Sequence, residues 1–157
     1  MSDTTLVQTK TSPLPAWLRA MRPKQWVKNI LVFAAPVAAG ALFDPRVLIN
    51  SLWAFVSFSL ISASIYLIND VRDVDADRLH PKKRFRPIAA GELDPRTATI
   101  LAAVTMIGSL ALGWWVAPML GITLAVYWVL QVGYSMFLKH QPIIDLALIS
   151  RMPKAQA

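Results

Sequence analysis

The chain has 157 residues, of which 55% are hydrophobic and 16% are charged. It is therefore too apolar for an ordinary soluble domain, in which about a quarter of the residues carry a charge. It contains no cysteine, which excludes disulfide bonds and thiol catalysis. Its formal net charge of +7 suggests nucleic acid or an anionic membrane surface as a partner, and the positions of the basic residues distinguish the two.

The amino-terminal part of the chain is polar and then becomes amphipathic. Residues 1–16 are predicted to form a disordered cytoplasmic tail, since they lack the basic start and apolar stretch of a signal peptide. Residues 17–28 alternate apolar and basic side chains, which is typical of a segment at the membrane interface.

Long apolar runs follow, each close to the roughly 20 residues that a helix needs to cross a bilayer. We predict an all-α integral membrane protein, a multi-helix transmembrane bundle with about four complete spans and a truncated fifth. Helices that are hydrophobic all round would have no polar face for water in a soluble core. Pro36 interrupts the first span, and Pro118 separates the third from the fourth in a tight hairpin. The predicted spans are residues 26–43, 47–68, 97–117 and 119–138, followed by a partial span at 143–149 and a polar tail at 151–157.

The basic residues alternate with these spans. They are concentrated before the first span, between the second and third, and after the fourth at Lys139, whereas the connection after the first span carries only Arg46 beside Asp44. This positive-inside pattern predicts a multi-pass protein of the cell inner (plasma) membrane with a cytoplasmic amino terminus. Because the basic residues are interleaved with carboxylates beside membrane spans, we expect no nucleic-acid binding.

Residues 69–96 form the long polar connection between the second and third spans, and function is expected there. If the helix of the second span continues into it, Asp70, Asp73 and Asp77 lie close to one stripe. Converging carboxylates repel one another unless a cation neutralises them, and oxygen ligands near a phosphate favour Mg²⁺. We therefore predict these three as magnesium ligands, with Asn69 adding an amide oxygen or a hydrogen bond. The alternative is a solvated acidic helix end that balances neighbouring cations.

A basic loop, His-Pro-Lys-Lys-Arg-Phe-Arg-Pro-Ile-Ala-Ala-Gly at residues 80–91, directly follows the carboxylates. Metal held by carboxylates can bind one side of a diphosphate and Lys or Arg the other, so that the leaving diphosphate is neutralised as its bond to carbon breaks. The pairing predicts a diphosphate site in which Lys83, Arg84 and Arg86 contact phosphates. Anchoring at the inner leaflet is the alternative role of these cations.

At these residues the sequence resembles the UbiA family of intramembrane prenyltransferases. The pattern from Asn69 to Asp77 is similar to the first Asp-rich motif of that family, NDxxDxxxD. Residues 21–29, Met-Arg-Pro-Lys-Gln-Trp-Val-Lys-Asn, together with residues 80–91 look like the branch that transfers phosphoribose to decaprenyl phosphate. The likeness covers nearly the whole chain, but family members are considerably longer and carry a second Asp-rich motif that this sequence lacks.

The resemblance implies a magnesium-dependent transfer of phosphoribose from phosphoribosyl diphosphate to a polyprenyl phosphate, in the synthesis of a lipid-linked sugar for the cell wall. A phosphate oxygen of the lipid would attack the anomeric carbon, and diphosphate would leave. Asp70, Asp73 and Asp77 would hold the metal. We assign Lys24 and Lys28 to the lipid phosphate, with inner-leaflet anchoring as the alternative.

Two other interpretations stay open. The same carboxylates would serve a UbiA-type prenyltransferase that attaches a polyprenyl group to an aromatic acceptor. The chain could also be a non-catalytic membrane fragment or a small transport or assembly subunit, because it carries half of the metal site that the resemblance implies, and alone it is expected to be inactive. A homo-oligomer is compatible with the sequence.

Overall fold

The computed structural model describes residues 13–137, and every regular element in that range is a helix. Most of the predicted tail, residue 138, the partial span at 143–149 and the polar tail at 151–157 lie outside the described residues. The elements are α1 (Ala16–Ala20), α2 (Pro23–Trp26), a 3₁₀ helix (Val27–Phe33), α3 (Ala34–Ala38), α4 (Pro45–Arg72), α5 (Val74–Leu79), a short 3₁₀ helix (Lys83–Phe85), α6 (Pro95–Val116) and α7 (Pro118–Phe137).

Within residues 13–137, three helices are long and apolar enough to cross a membrane, namely α4, α6 and α7. They overlap the predicted spans at 47–68, 97–117 and 119–138. Both α4 and α6 begin with the same Asp-Pro pair, in which the carboxylate of Asp44 or Asp94 accepts hydrogen bonds from two backbone amides of the first turn. Proline suits the first helical position because its missing N–H has no partner there.

Residues 26–43, predicted as the first span, form a broken helix rather than one continuous α-helix. The chain passes from α2 through the 3₁₀ helix to α3, and then turns at Gly40, whose φ is 65°. Pro36 lacks an amide hydrogen, and its ring would clash with the carbonyl four residues earlier, which opposes a regular α-helix here. Because a 3₁₀ helix rises more per residue, Pro23–Ala38 still has a path length of roughly 27 Å.

This broken helix runs antiparallel to α4, and three side-chain contacts set the register between them. Residues with higher numbers in the broken helix contact residues with lower numbers in α4. The first residues of the broken helix therefore lie beside the carboxyl end of α4. The contacts are the Arg22 guanidinium over the Tyr66 ring (4.8 Å to the centroid), Asn29 Nδ2 to Ser59 Oγ (3.3 Å) and Phe33 with Phe55 (6.1 Å between centroids).

Small polar residues mediate the packing of α6 and α7 on α4. Ser109 Oγ of α6 donates to the backbone oxygen of Ser57 at 2.7 Å, and both residues are fully buried. Trp128 Nε1 of α7 donates to Ser64 Oγ at 3.3 Å. Small residues let helix backbones approach closely in a membrane, and their hydroxyls then bond across the interface. α4 is thus the central helix against which the others pack.

A second small core lies beside the polar end of α4. The loop that follows α5 folds back so that Ile88 and Leu93 pack against α4 and α6, and Met21 packs there from the amino-terminal segment. This cluster holds the sequence around residues 21–29 and the loop at 80–91 beside the end of α4, where the acidic motif begins. The buried members are Ala20, Met21, Ala63, Leu67, Ile88, Leu93, Ala98 and Ala102.

Candidate diphosphate and metal site

The acidic motif spans a break between two helices. α4 continues past the predicted limit of the second span to Arg72, the chain breaks at Asp73 (φ −91°, ψ 8°), and α5 starts at Val74. The backbone N–H of Asp77 still donates to the carbonyl of Asp73 at 2.7 Å, so the helical spacing is kept across the break. As a result, Asp70 and Asp77 lie on the same side of the chain.

Asp70 and Asp77 are buried, with 2% and 3% of their surface exposed, and Arg86 joins them. Its Nη1 donates to Asp70 Oδ1 at 3.1 Å and to Asp77 Oδ2 at 2.9 Å. A buried carboxylate without a counter-charge is strongly destabilising, so the guanidinium supplies the charge that permits burial. Arg86 is thus in contact with two of the predicted metal ligands.

Arg22 is a second cation at Asp70, and the sequence analysis did not assign it to the site. Its Nη2 donates to Asp70 Oδ1 at 2.7 Å. The backbone at Arg22 is left-handed (φ 55°, ψ 64°), a conformation that is uncommon outside glycine and asparagine. Proline disfavours the right-handed helical region in the residue before it, which opposes continuation of α1 through Arg22. In the sequence, the only sign of a special role for Arg22 is the proline that follows it within residues 21–29.

The other predicted residues lie around this pair. Asn69 Oδ1 accepts a hydrogen bond from Ser135 Oγ of α7 at 2.6 Å, and Asp73 is partly exposed at the helix break. Lys83 and Arg84 are exposed on the short 3₁₀ helix. His80 shapes this turn, since its Nδ1 accepts the backbone N–H of Lys83 at 3.2 Å and that of the preceding lysine at 3.1 Å.

Lys24 and Lys28 lie at different depths. Lys24 is exposed and lines a cavity together with Arg22. Lys28 lines a separate cavity of about 430 Å³ between the 3₁₀ helix, α4 and α7. Its neighbour Asn29 contacts Ser59, which lies roughly 16 Å from Asp70 along α4 at the usual helical rise. The two lysines therefore line different cavities, and their assignment to the lipid phosphate stays a prediction.

Asp70, Asp73 and Asp77 are the predicted magnesium ligands. Among residues 13–137, no group of three or more Asp, Glu, His or Cys side chains comes close enough to hold a metal ion. Asp70 and Asp77 are brought together through Arg86, and magnesium commonly takes one or two carboxylates and completes its shell with water and substrate phosphates. Carboxylate oxygens are therefore the type of donor that magnesium takes, and in this structure Arg22 and Arg86 balance the charge of Asp70 and Asp77. The role of Asp73 as a third ligand stays a prediction.

Long apolar helices packed on α4, with buried carboxylates and arginines at one end, define a helical, multi-pass membrane protein with a polar site at the end of its bundle. Residues 30–150 match the UbiA prenyltransferase family, and the chain belongs to that family.

Curated relatives include three proteins named decaprenyl-phosphate phosphoribosyltransferase. The protein of Mycobacterium tuberculosis is 44% identical over 154 residues, covering 96% of this chain and 51% of the relative. That of Mycolicibacterium smegmatis is 48% identical over 137 residues, covering 85% and 43%. That of Corynebacterium glutamicum is 50% identical over 139 residues, covering 85% and 41%. The chain spans about half the length of the curated relatives it matches.

Proposed function

We propose that residues 17–150 form the amino-terminal half of an enzyme that transfers phosphoribose from phosphoribosyl diphosphate to a polyprenyl phosphate such as decaprenyl phosphate. The observation that carries the proposal is the meeting of two motifs on one carboxylate. Arg22 of the segment 21–29 and Arg86 of the loop 80–91 both donate to Asp70 Oδ1. The names of the relatives at 44–50% identity support the same activity.

The charges of the site suit a diphosphate. Asp70 and Asp77 provide oxygen ligands for magnesium, and Asp73 and Asn69 are the further polar groups of the motif. Bound there, magnesium would supply positive charge that the leaving diphosphate requires. Arg86 contacts the same carboxylates, and its planar guanidinium can donate to several oxygens at once.

The reaction balances without a separate proton donor. An oxygen of the acceptor phosphate forms a bond to the anomeric carbon of the ribose, and the bond from that carbon to the diphosphate oxygen breaks. The diphosphate takes the electron pair, while the acceptor becomes a phosphodiester with one negative charge fewer. The protein must therefore bring two phosphate-bearing substrates together and neutralise the charge of the leaving group. Lys83 and Arg84, exposed beside Arg86, extend this positive surface toward the diphosphate.

We place the protein in the plasma membrane with its amino terminus and the loop at 80–91 on the cytoplasmic side. The support is the distribution of Lys and Arg, which are concentrated on the connections that this orientation makes cytoplasmic. The orientation gives the polar site access to a water-soluble donor such as phosphoribosyl diphosphate. The lipid acceptor reaches the same site from the inner leaflet.

The test uses membranes that contain this chain extended to the full length of its relatives. They are incubated with Mg²⁺, decaprenyl phosphate and ribose-labelled phosphoribosyl diphosphate, and in parallel with a labelled allylic diphosphate and 4-hydroxybenzoate. We expect a labelled, phosphate-containing lipid in the first incubation and no prenylated aromatic product in the second. The reverse result would identify a prenyltransferase with an aromatic acceptor, and label in neither product would indicate a non-catalytic chain.

A further inference from the structure

A cavity of about 290 Å³ lies in the amino-terminal segment, and Arg22 and Lys24 both line it. Among residues 13–137, those that line it include three cationic side chains and no acidic one. Basic cavities at the ends of membrane helices suit the phosphate groups of lipids. The lining residues are Leu14, Arg19, Arg22, Pro23, Lys24 and Gln25.

Arg22 connects this cavity to the acidic motif. Its Nη2 donates to Asp70 at 2.7 Å, and the same side chain lines the cavity. A guanidinium carries five N–H donors in a fixed fork, so one contact with a carboxylate leaves donors for a phosphate. The ring of Tyr66 lies 4.8 Å from the guanidinium carbon and holds the group in place.

Arg19 is also held in position before any ligand binds. Its Nε donates to the carbonyl of Leu14 at 3.2 Å, and its guanidinium pairs with Glu92 in the loop that follows α5. Lys24 is exposed, and a lysine is a flexible point charge that can follow a phosphate. The cavity thus offers two fixed guanidinium groups and one mobile ammonium to an anion.

The apolar surroundings favour a lipid as the source of that anion. Leu14, which lines the cavity, is 42% exposed, and Trp17 of the same segment is 49% exposed. Aromatic and apolar side chains next to Lys and Arg are typical of a segment lying at the membrane interface. A phosphate on a hydrocarbon chain can enter such a cavity while its chain stays in the membrane.

We propose that this cavity binds the phosphate monoester of the polyprenyl acceptor, and that Arg22 contacts both this phosphate and Asp70. This deepens the proposed function and rests on it. In this arrangement only the Arg22 side chain separates the acceptor phosphate from Asp70, the carboxylate proposed for the side of phosphoribosyl diphosphate. Lys28 has no part in this subsite, because it lines the separate cavity beside Ser59.

Direct binding tests the assignment. The protein is purified in lipid nanodiscs, and the Kd of radiolabelled farnesyl phosphate is measured by equilibrium dialysis, with farnesol, inorganic phosphate and phosphoribosyl diphosphate as competitors. We expect Lys24→Glu to raise the Kd of farnesyl phosphate by about tenfold or more, since an attractive charge becomes repulsive. Lys24→Arg should retain binding, and the matched control Arg96→Glu, at an exposed position of α6, should leave the Kd within about twofold. The Kd of phosphoribosyl diphosphate should stay unchanged in Lys24→Glu.

An unchanged Kd for farnesyl phosphate in Lys24→Glu would overturn the assignment. So would a weakened affinity for phosphoribosyl diphosphate, which would mean that the cavity takes the 5-phosphate of the donor. Competition by inorganic phosphate as effective as that by farnesyl phosphate would show a free-anion site and would also overturn it. If labelled lipid forms normally but Lys24→Glu binds farnesyl phosphate as before, the cavity assignment fails while the proposed function stands. If farnesyl phosphate binding depends on Lys24 but no phosphoribose is transferred, the cavity assignment stands and the proposed function fails.

Discussion

Arg22 donates from Nη2 to Oδ1 of Asp70 at 2.7 Å, although the two residues are 48 positions apart in the sequence. The contact joins the segment before the broken helix to the carboxyl end of α4. Asp70 is 2% exposed, so its charge depends on arginines for compensation. The amino-terminal segment is therefore part of the polar site.

Asp70→Asn should abolish magnesium-dependent transfer, because it removes the charge of a metal ligand and of the partner shared by Arg22 and Arg86. We also expect the free energy of unfolding to fall by about 1.5–3 kcal/mol, the usual contribution of a hydrogen bond to a charged group. Transfer is measured as labelled lipid formed in nanodiscs that contain the chain extended to the full length of its relatives, and unfolding is measured by thermal denaturation.

Asp75→Asn is the matched control for that substitution. The Asp75 side chain is 95% exposed, and its nearest cation is Arg78 at 3.9 Å, an ion pair that contributes little at a surface. Full activity in Asp75→Asn together with lost activity in Asp70→Asn is the expected pair of results. Normal transfer by Asp70→Asn would mean that the metal is bound elsewhere.

Arg86→Gln should destabilise the protein by about 3 kcal/mol, because it leaves two buried carboxylates without their shared counter-charge. Mg²⁺ should recover part of that loss by binding between them, and it should raise the melting temperature of the variant more than that of the wild type. Lys82→Gln, an exposed change in the same loop, serves as the control. Equal Mg²⁺ effects in all three proteins would argue against a metal at Asp70 and Asp77.

The three apolar helices could be predicted from the sequence, because hydropathy and the Asp-Pro pairs at α4 and α6 are local signals. The break at Asp73 and the ion pairs of Arg86 with Asp70 and Asp77 could not be predicted. Helical spacing alone places the three aspartates on one face of a continuous helix. In the sequence, Arg22 is one of several basic residues in a segment at the membrane interface, and no local pattern assigns it to the site. Its partner is determined by the antiparallel register of the broken helix on α4, which depends on long-range contacts such as that between Asn29 and Ser59.

Gly113→Ala should destabilise the hairpin of α6 and α7. A Cβ at Gly113 would overlap the side chain of Leu124, and the backbone of Gly121 lies 3.5 Å away. Overpacking of this kind costs about 1–3 kcal/mol. The control is Gly108→Ala in the same helix, where a Cβ meets nothing within 4 Å, and it should be neutral or slightly stabilising. Thermal unfolding in nanodiscs compares the two, and equal losses would contradict the close packing at Gly113.

The proposed orientation can be tested with single cysteines, because the natural sequence contains none. Phe43→Cys lies in the connection before α4 and is 90% exposed, whereas Lys82→Cys lies in the basic loop on the opposite side. In intact cells, a membrane-impermeant maleimide should label Phe43→Cys only, and Lys82→Cys should react after permeabilisation. Labelling of Lys82→Cys in intact cells would reverse the orientation.

The most direct test of phosphoribosyl transfer uses donor labelled with one isotope in the ribose and another in the diphosphate. The chain, extended to the full length of its relatives, is purified in nanodiscs and supplied with Mg²⁺ and decaprenyl phosphate, and both labels are followed into the lipid and aqueous phases. We predict that the ribose label enters the lipid in an amount equal to the diphosphate released. Release of diphosphate without ribose in the lipid, or no reaction at all, would contradict the proposed function.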